Sequence, residues 1–284
     1  MHDSDLIVRR EGATPLPVPA AVIAAIDERP LGGASLTSGT TGGGTYAQAR
    51  DSGAIHLVTT LSDLKLYASG DAPAVVLVAE GRYVGAAETR IVQACHQACE
   101  ADDPIPEQTV SVSDCTHGEA IFELEFNTDT LRVGSNKTII GLGKGAHLVD
   151  TTLVLDGSSN VILRNLAIEE VGKGIVAMGN GLSLSPAHHV WLDHMTLRDV
   201  SHTSLNIASS FDQENAQALV DAAGFVTASY VQFDGFVSAS CSQRSQLVLT
   251  ANRSPALTVT HSWFEHGRIR APNFARAWHV GSPL

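Results

Sequence analysis

Between Asn160 and Arg198 the apolar positions follow one short frame twice. Val161, Leu163 and Ile168 in the first pass answer to Val190, Leu192 and Leu197 in the second, 29 residues on. The frame returns at Val226, Ala228 and Phe233, then at Leu257, Val259 and Phe264, after steps of 36 and 31 residues. Its first and third positions are two apart and share one face of a strand. Similar β-type units recurring at such spacing predict a solenoid, in which each unit buries its apolar face only by stacking on its neighbours.

From Asn136 to the end, short β runs alternate with glycine, aspartate and asparagine. Strands of four to six residues are too short and too closely spaced for βαβ units. They predict a parallel coil, with aliphatic side chains stacked along the axis and Asn or Ser at the bends bonding to neighbouring turns. The stretch 211–223 is a polar insertion. Upstream, the pattern predicts a short helix after Pro19, a strand over 54–59, a short helix capped by Ser62, and a buried strand at Ala74–Ala79. Gly42-Gly43-Gly44 is a tight loop rather than a phosphate cradle, because no GxxxxGK[ST] follows. Residues 1–37 form a lead-in, and 38–284 an all-β parallel β-helix with loop insertions, expected to be truncated at its C-terminus.

At 284 residues, one large all-β domain is routine. No run approaches the roughly 18 apolar residues of a membrane span, so no membrane partner is expected. The N-terminus lacks the layout of a secretory signal. Cys95, Cys99 and Cys115 fall close together, which suits a disulfide-pinned loop in an oxidising compartment, with Cys241 open to pairing. Zinc is disfavoured, since no second CxxC or paired histidine stands nearby. A formal net charge of −12 argues against nucleic acid. Yet from Arg244 onward there are five arginines and one acidic residue, Glu265. Such an end suits a polyanion, because arginine grips carboxylates bidentately.

SNKTIIGLGKGAHL, SSNVILRNLAIEEV, GNGLSL, HHVWLDHMTLRD and finally RAPNFAR resemble the pectate lyase and pectin lyase family, and the likeness spans most of residues 38–280. The resemblance implies a right-handed single-stranded parallel β-helix and β-elimination on an acidic polysaccharide, galacturonan. It also implies a secreted monomer without organic cofactor. It assigns the C5 proton acceptor to Arg270, with Arg268 and Arg276 supplying the positive charge that disfavours a protonated guanidinium. Arg276 would grip the sugar carboxylate.

The resemblance breaks in the acidic half. Calcium-dependent members carry a carboxylate in the turn before the VWxDH strand and more after it. This chain has Asn180 in the first place; Asp199 matches a ligand position, and Thr203 stands four residues on. Calcium wants six to eight oxygens, several from carboxylates. Two readings follow: weak calcium completed by substrate, or metal-free elimination in which Arg198 and His202 help stabilise the enolate. A non-catalytic polysaccharide-binding β-helix is the second functional class, and a β-helix glycoside hydrolase the third, without paired carboxylates to support it. Asp193 and His194, adjacent on a strand and expected on opposite faces, have no nucleophile turn to serve and are expected to be structural. Histidines 188, 189, 194 and 202 are expected as stacked corner or surface residues, and Trp191 and Trp263, inside the frame, as packing residues.

Overall fold

Each position of the repeated frame pairs with its counterpart one coil away. Val161 pairs with Val190, Val190 with Val226, and Val226 with Leu257. Ile168 pairs with Leu197, Leu197 with Phe233, and Phe233 with Phe264. The structure is a computed structural model that describes residues 17–90, 94–96, 119–121, 124–127, 129–171, 180–200, 203–208, 224–235, 247–252, 256–266 and 272–275.

The chain opens with α1 (Ala20–Asp27), a 3-10 turn (Gly32–Ser35), α2 (Tyr46–Asp51), β1 (Ile55–Val58), α3 (Leu61–Ala68), β2 (Ala74–Val78) and β3 (Gly81–Val84). An excursion follows: β4 (Ala87–Arg90), β5 (Ala94–His96), β6 (Glu119–Ile121) and β7 (Leu124–Asn127), nested as two antiparallel pairs. β8 (Thr130–Arg132) rejoins the main body. The second coil is β9 (Lys137–Gly141), β10 (Ala146–Val149) and β11 (Thr152–Val154). The third is β12 (Ser159–Arg164), β13 (Leu166–Val171) and β14 (Asn180–Ser183), and the fourth is β15 (His188–Asp193), β16 (Thr196–Val200) and β17 (Thr203–Ala208). Then come β18 (Gly224–Ser229), β19 (Gln232–Asp234), β20 (Leu247–Asn252), β21 (Leu257–Thr260), β22 (Trp263–Glu265) and β23 (Asn273–Ala275).

Every coil from β2 onward contributes one strand to each of three parallel sheets, and β1 adds a seventh strand to the first. Sheet one runs β1-β2-β9-β12-β15-β18-β21, sheet two β3-β10-β13-β16-β19-β22, and sheet three β8-β11-β14-β17-β20-β23. The core lies inside the coil, with Val161, Val190, Val226, Ile168, Leu197 and Phe233 all buried. The bends are left-handed residues stacked coil on coil. Asn136, Asn160, His189, Phe225 and Ala256 turn into sheet one, with φ between 54° and 59°. Asn165, His194, Tyr230 and His261 turn from sheet one to sheet two, and Asp150, Glu170, Asp199 and His266 from sheet two towards sheet three. The expected bonding between bends is present: Asn160 Nδ2 donates to Asn136 Oδ1 at 2.8 Å. Aromatic rings continue the ladders, His194 on Tyr230 at 4.6 Å and Tyr230 on His261 at 4.8 Å.

The segment after α1 is a strap over the outer face of sheet one. Gly33 N donates to Thr258 Oγ1 and Ala34 N to Thr227 Oγ1, each at 3.0 Å. Further along, Gly42 N donates to Asn160 Oδ1 at 2.8 Å and Gly43 N to Thr138 Oγ1 at 2.9 Å. This cover buries Ile162 and Trp191, which face away from the main core. Three expectations are corrected. Thr60, not Ser62, caps α3, because its Oγ1 reaches Asp63 N at 3.1 Å. Pro19 is the N-cap of α1 rather than its first helical residue. Trp263 is 46% exposed, because its neighbour Phe264 takes the inward position. The polar insertion at 211–223 and three of the cysteines lie outside the described residues, and of Cys95 only the backbone is described. Among the described residues no helix is long and apolar enough to cross a membrane.

Candidate active site

Leu131, Leu153, Leu182 and Leu205 are register partners in sheet three and are all buried. Side chains alternate along a strand, so the residue after each leucine belongs to the outer face. Those residues, Arg132, Val154, Ser183 and Asn206, are one axial row of register partners, and the backbone register continues to Thr250 and Asn273. Arg132 is exposed, and Val154, Ser183 and Asn206 are half-buried. No strand of sheet three contains an aspartate or a glutamate. The row ends on β23, the strand bracketed in sequence by Arg270 and Arg276.

Of the residues expected at the site, Asn180 opens β14 in sheet three. Arg198 lies in sheet two, where its Nη2 donates to Glu169 Oε1 at 3.1 Å. The Glu169 side chain is buried and also bonds His147 Nδ1 at 2.8 Å. Asp199 is the left-handed residue of the same strand, at the corner leading to sheet three. The structure thus brings Asn180 onto the sheet that carries β23 and places Arg198 and Asp199 on the neighbouring one. His202, Arg268, Arg270 and Arg276 lie outside the described residues. Ser183, Asn206 and Arg132 were missed by sequence reasoning, although each follows a ladder leucine directly.

Two other clusters compete. On sheet one, a trough of about 390 Å³ runs between the strap and the His194–Tyr230–His261 stack, over Trp191 and Asp193. Its buried carboxylate is committed. Asp193 Oδ2 accepts from Arg164 Nη2 and His194 Nδ1, both at 2.7 Å, and its Oδ1 from Ser229 Oγ at 2.5 Å. Asp193 and His194 are therefore a structural pair, but they do not face opposite ways. The positive φ of His194 breaks the alternation and turns its ring back to its neighbour. On sheet two, ligand atoms of Asp234, Glu265 and His266 lie within 4.8 Å of one another, with His266 Nδ1 on Asp234 Oδ1 at 2.8 Å. That cluster, a metal-ligand set by residue type, stands on a different face from the carboxylate-free row of sheet three.

Three parallel sheets joined by left-handed corners define a parallel β-helix. The Pectate lyase family model matches residues 109–281, and the chain belongs to that family. It is 26% identical over 264 residues to probable pectin lyase F of Aspergillus niger, covering 86% of this chain and 50% of that protein. It is 36% identical over 107 residues to pectate lyase E of Dickeya chrysanthemi, covering 34% of this chain and 26% of that one. A Bacillus subtilis pectate lyase mutant superposes with a TM-score of 0.52 at 12% identity, covering 88% of this chain and 77% of that one, and shares the right-handed parallel β-helix. The chain spans about half the length of the curated relatives it matches first.

Proposed function

We propose that this chain is a polysaccharide lyase that cleaves α-1,4-galacturonan by β-elimination, with Arg270 as the C5 proton acceptor and Arg276 as the grip on the sugar carboxylate. The C5–H electron pair becomes the C4–C5 double bond as the C4–oxygen bond breaks, the leaving oxygen takes a proton from water, and the hydroxide so formed takes the C5 proton back from Arg270. A proton beside a carboxylate is feebly acidic, so the reaction needs both a base and charge stabilisation of the enolate. Neighbouring positive charge from Arg268 and Arg276 lowers the proton affinity of the Arg270 guanidinium. The observation that supports this reading best is the carboxylate-free outer row of sheet three, which leads to the strand between the two arginines. The strands of that face present no carboxylate, and Asp156, which accepts from Ser183 Oγ at 3.1 Å, lies beyond the end of β11.

Among the described residues, the donor set does not fit a calcium cage. Calcium takes six to eight oxygens, usually with several carboxylates. Sheet three offers Asn180, Ser183 and Asn206, all neutral, while Asp199 belongs to sheet two. The proposed elimination therefore runs on arginines and neutral donors, with no step through a metal. Export, expected from the clustered cysteines, belongs to the same reading.

The test is incubation with polygalacturonate and with methyl-esterified pectin, with calcium or with chelator, following ultraviolet absorbance of the unsaturated product. Product should form and persist in chelator. Arg270→Lys should slow it by about 10²–10⁴-fold, the usual contribution of a positioned general base. Retained activity in that variant removes Arg270 from the mechanism. Binding without product supports the binding-module reading, and reducing sugar without unsaturation supports a hydrolase.

A further inference from the structure

We propose that Arg132 is a distal substrate-binding residue, gripping a carboxylate of a galacturonan chain that lies along the outer row of sheet three. The inference rests on the galacturonan reading above and extends the same face. Arg132 and Asn273 occupy opposite ends of one register row, five strand spacings apart. At about 4.8 Å per spacing they are separated by on the order of 24 Å. A solenoid repeats its surface along its axis, so an extended polymer running parallel to that axis meets one row rather than scattered loops.

The side chain itself supplies the second argument. Among the arginines whose side chains are described, Arg164, Arg198, Arg82 and Arg50 each hold a carboxylate. Arg29 is spent on the carbonyls of Ile26 and Glu28. Arg132 alone is exposed and makes no hydrogen bond or ion pair. Asp129, three residues before Arg132, and Asp156, two residues after its register partner Val154, are already engaged. Asp129 holds Lys65 and accepts from Ala86 N, and Asp156 Oδ1 accepts from Ser183 Oγ and Ser185 N, both at 3.1 Å. A planar guanidinium with all five donors available is suited to bidentate capture of a uronate carboxylate. Val154, Ser183 and Asn206 separate it from the far end of the row without a charge of their own.

The residue should therefore matter only for chains long enough to reach it. Arg132→Ala and Arg132→Gln, both surface changes, are compared with the unaltered protein on long galacturonan and on trigalacturonate. On the polymer, KM should rise roughly threefold to tenfold with kcat unchanged, the loss expected of one charge-assisted contact. The trisaccharide should show no change. Equal KM values on the polymer would overturn the proposal, as would an equal loss on both substrates. If the unaltered protein forms no unsaturated product, the lyase reading fails separately, and retention on a polygalacturonate affinity gel then decides. Weaker retention of both variants supports Arg132 as a binding residue, and equal retention, or none in any protein, overturns it.

Discussion

Asp193 is buried and receives three donors, so its charge is matched by Arg164 and its oxygens are filled. Removing it leaves the Arg164 guanidinium, only 10% exposed, with Glu28 as its remaining carboxylate. Because Arg164 keeps Glu28 while Ser229 and His194 lose their acceptor, Asp193→Ala should cost about 1–3 kcal/mol of stability, read from denaturant unfolding. His189 carries a different consequence. Burial lowers its pKa, the facing His188 lowers it further, and a backbone contact at Leu36 raises it in part. Its Nδ1 sits 2.8 Å from that of His188, and its Nε2 2.6 Å from Thr37 Oγ1, with no charged group among those partners. A depressed histidine pKa means that the unfolded chain takes the proton first. The neutral ring's contribution is complete above the unfolded value of about 6.5 and is lost as pH falls below it. The melting temperature should drop between pH 7 and pH 5.5, and less steeply in His189→Asn, which restores the residue type of Asn136 and Asn160 in the same ladder. Some slope should remain, because burial also lowers the pKa of His56.

The corners are where local preference and packing disagree. Asparagine tolerates a left-handed backbone; tyrosine does not, at a cost of roughly 1–2 kcal/mol. Tyr230 adopts φ 53° because its ring is held between His194 and His261. Tyr230→Ala keeps the strain and loses the stack, whereas Tyr230→Gly loses both, so the glycine variant should be the more stable of the two in denaturant melts. The strap has the opposite constraint. A Cβ on Gly33 would stand 1.8 Å from the Ala256 carbonyl oxygen. Gly33→Ala should therefore shift the strap and destabilise the protein by about 1–3 kcal/mol, as overpacking does. Among elements, the strands of sheets one and two were legible because a short turn joins them in every coil, so the frame keeps its internal spacing. Sheet three was not, because the chain reaches it through stretches as different as 172–179, 201–202 and 235–246.

The coil's sheets bury apolar side chains mainly against the coils next to them, and the strap is the contact that ties distant coils together. Residues 31–43 reach β9, β12, β15, β18 and β21 through Thr138, Asn160, His189, Thr227 and Thr258. Deleting residues 1–45 should bare Ile162 and Trp191, red-shift tryptophan fluorescence and lower the melting temperature. The same arrangement sorts the charge of an acidic molecule. Carboxylates collect on sheet two and at the corners, while the strands of sheet three carry none and lead in sequence to an arginine-rich C-terminal stretch.

Read alone, the residues determined the coil and its register on two faces, because alternation and repetition are local properties that survive in one dimension. The family motif also came from the sequence, and with it the expectation that Arg270 and Arg276 act together. Tertiary structure decided which face each residue joined. Arg198 and Asp199 stand only a few residues before β17, yet they belong to sheet two. Arg132, some 140 residues before Asn273, shares its row. Left-handed corners and connections of unequal length set those neighbours, and neither leaves a period in the sequence.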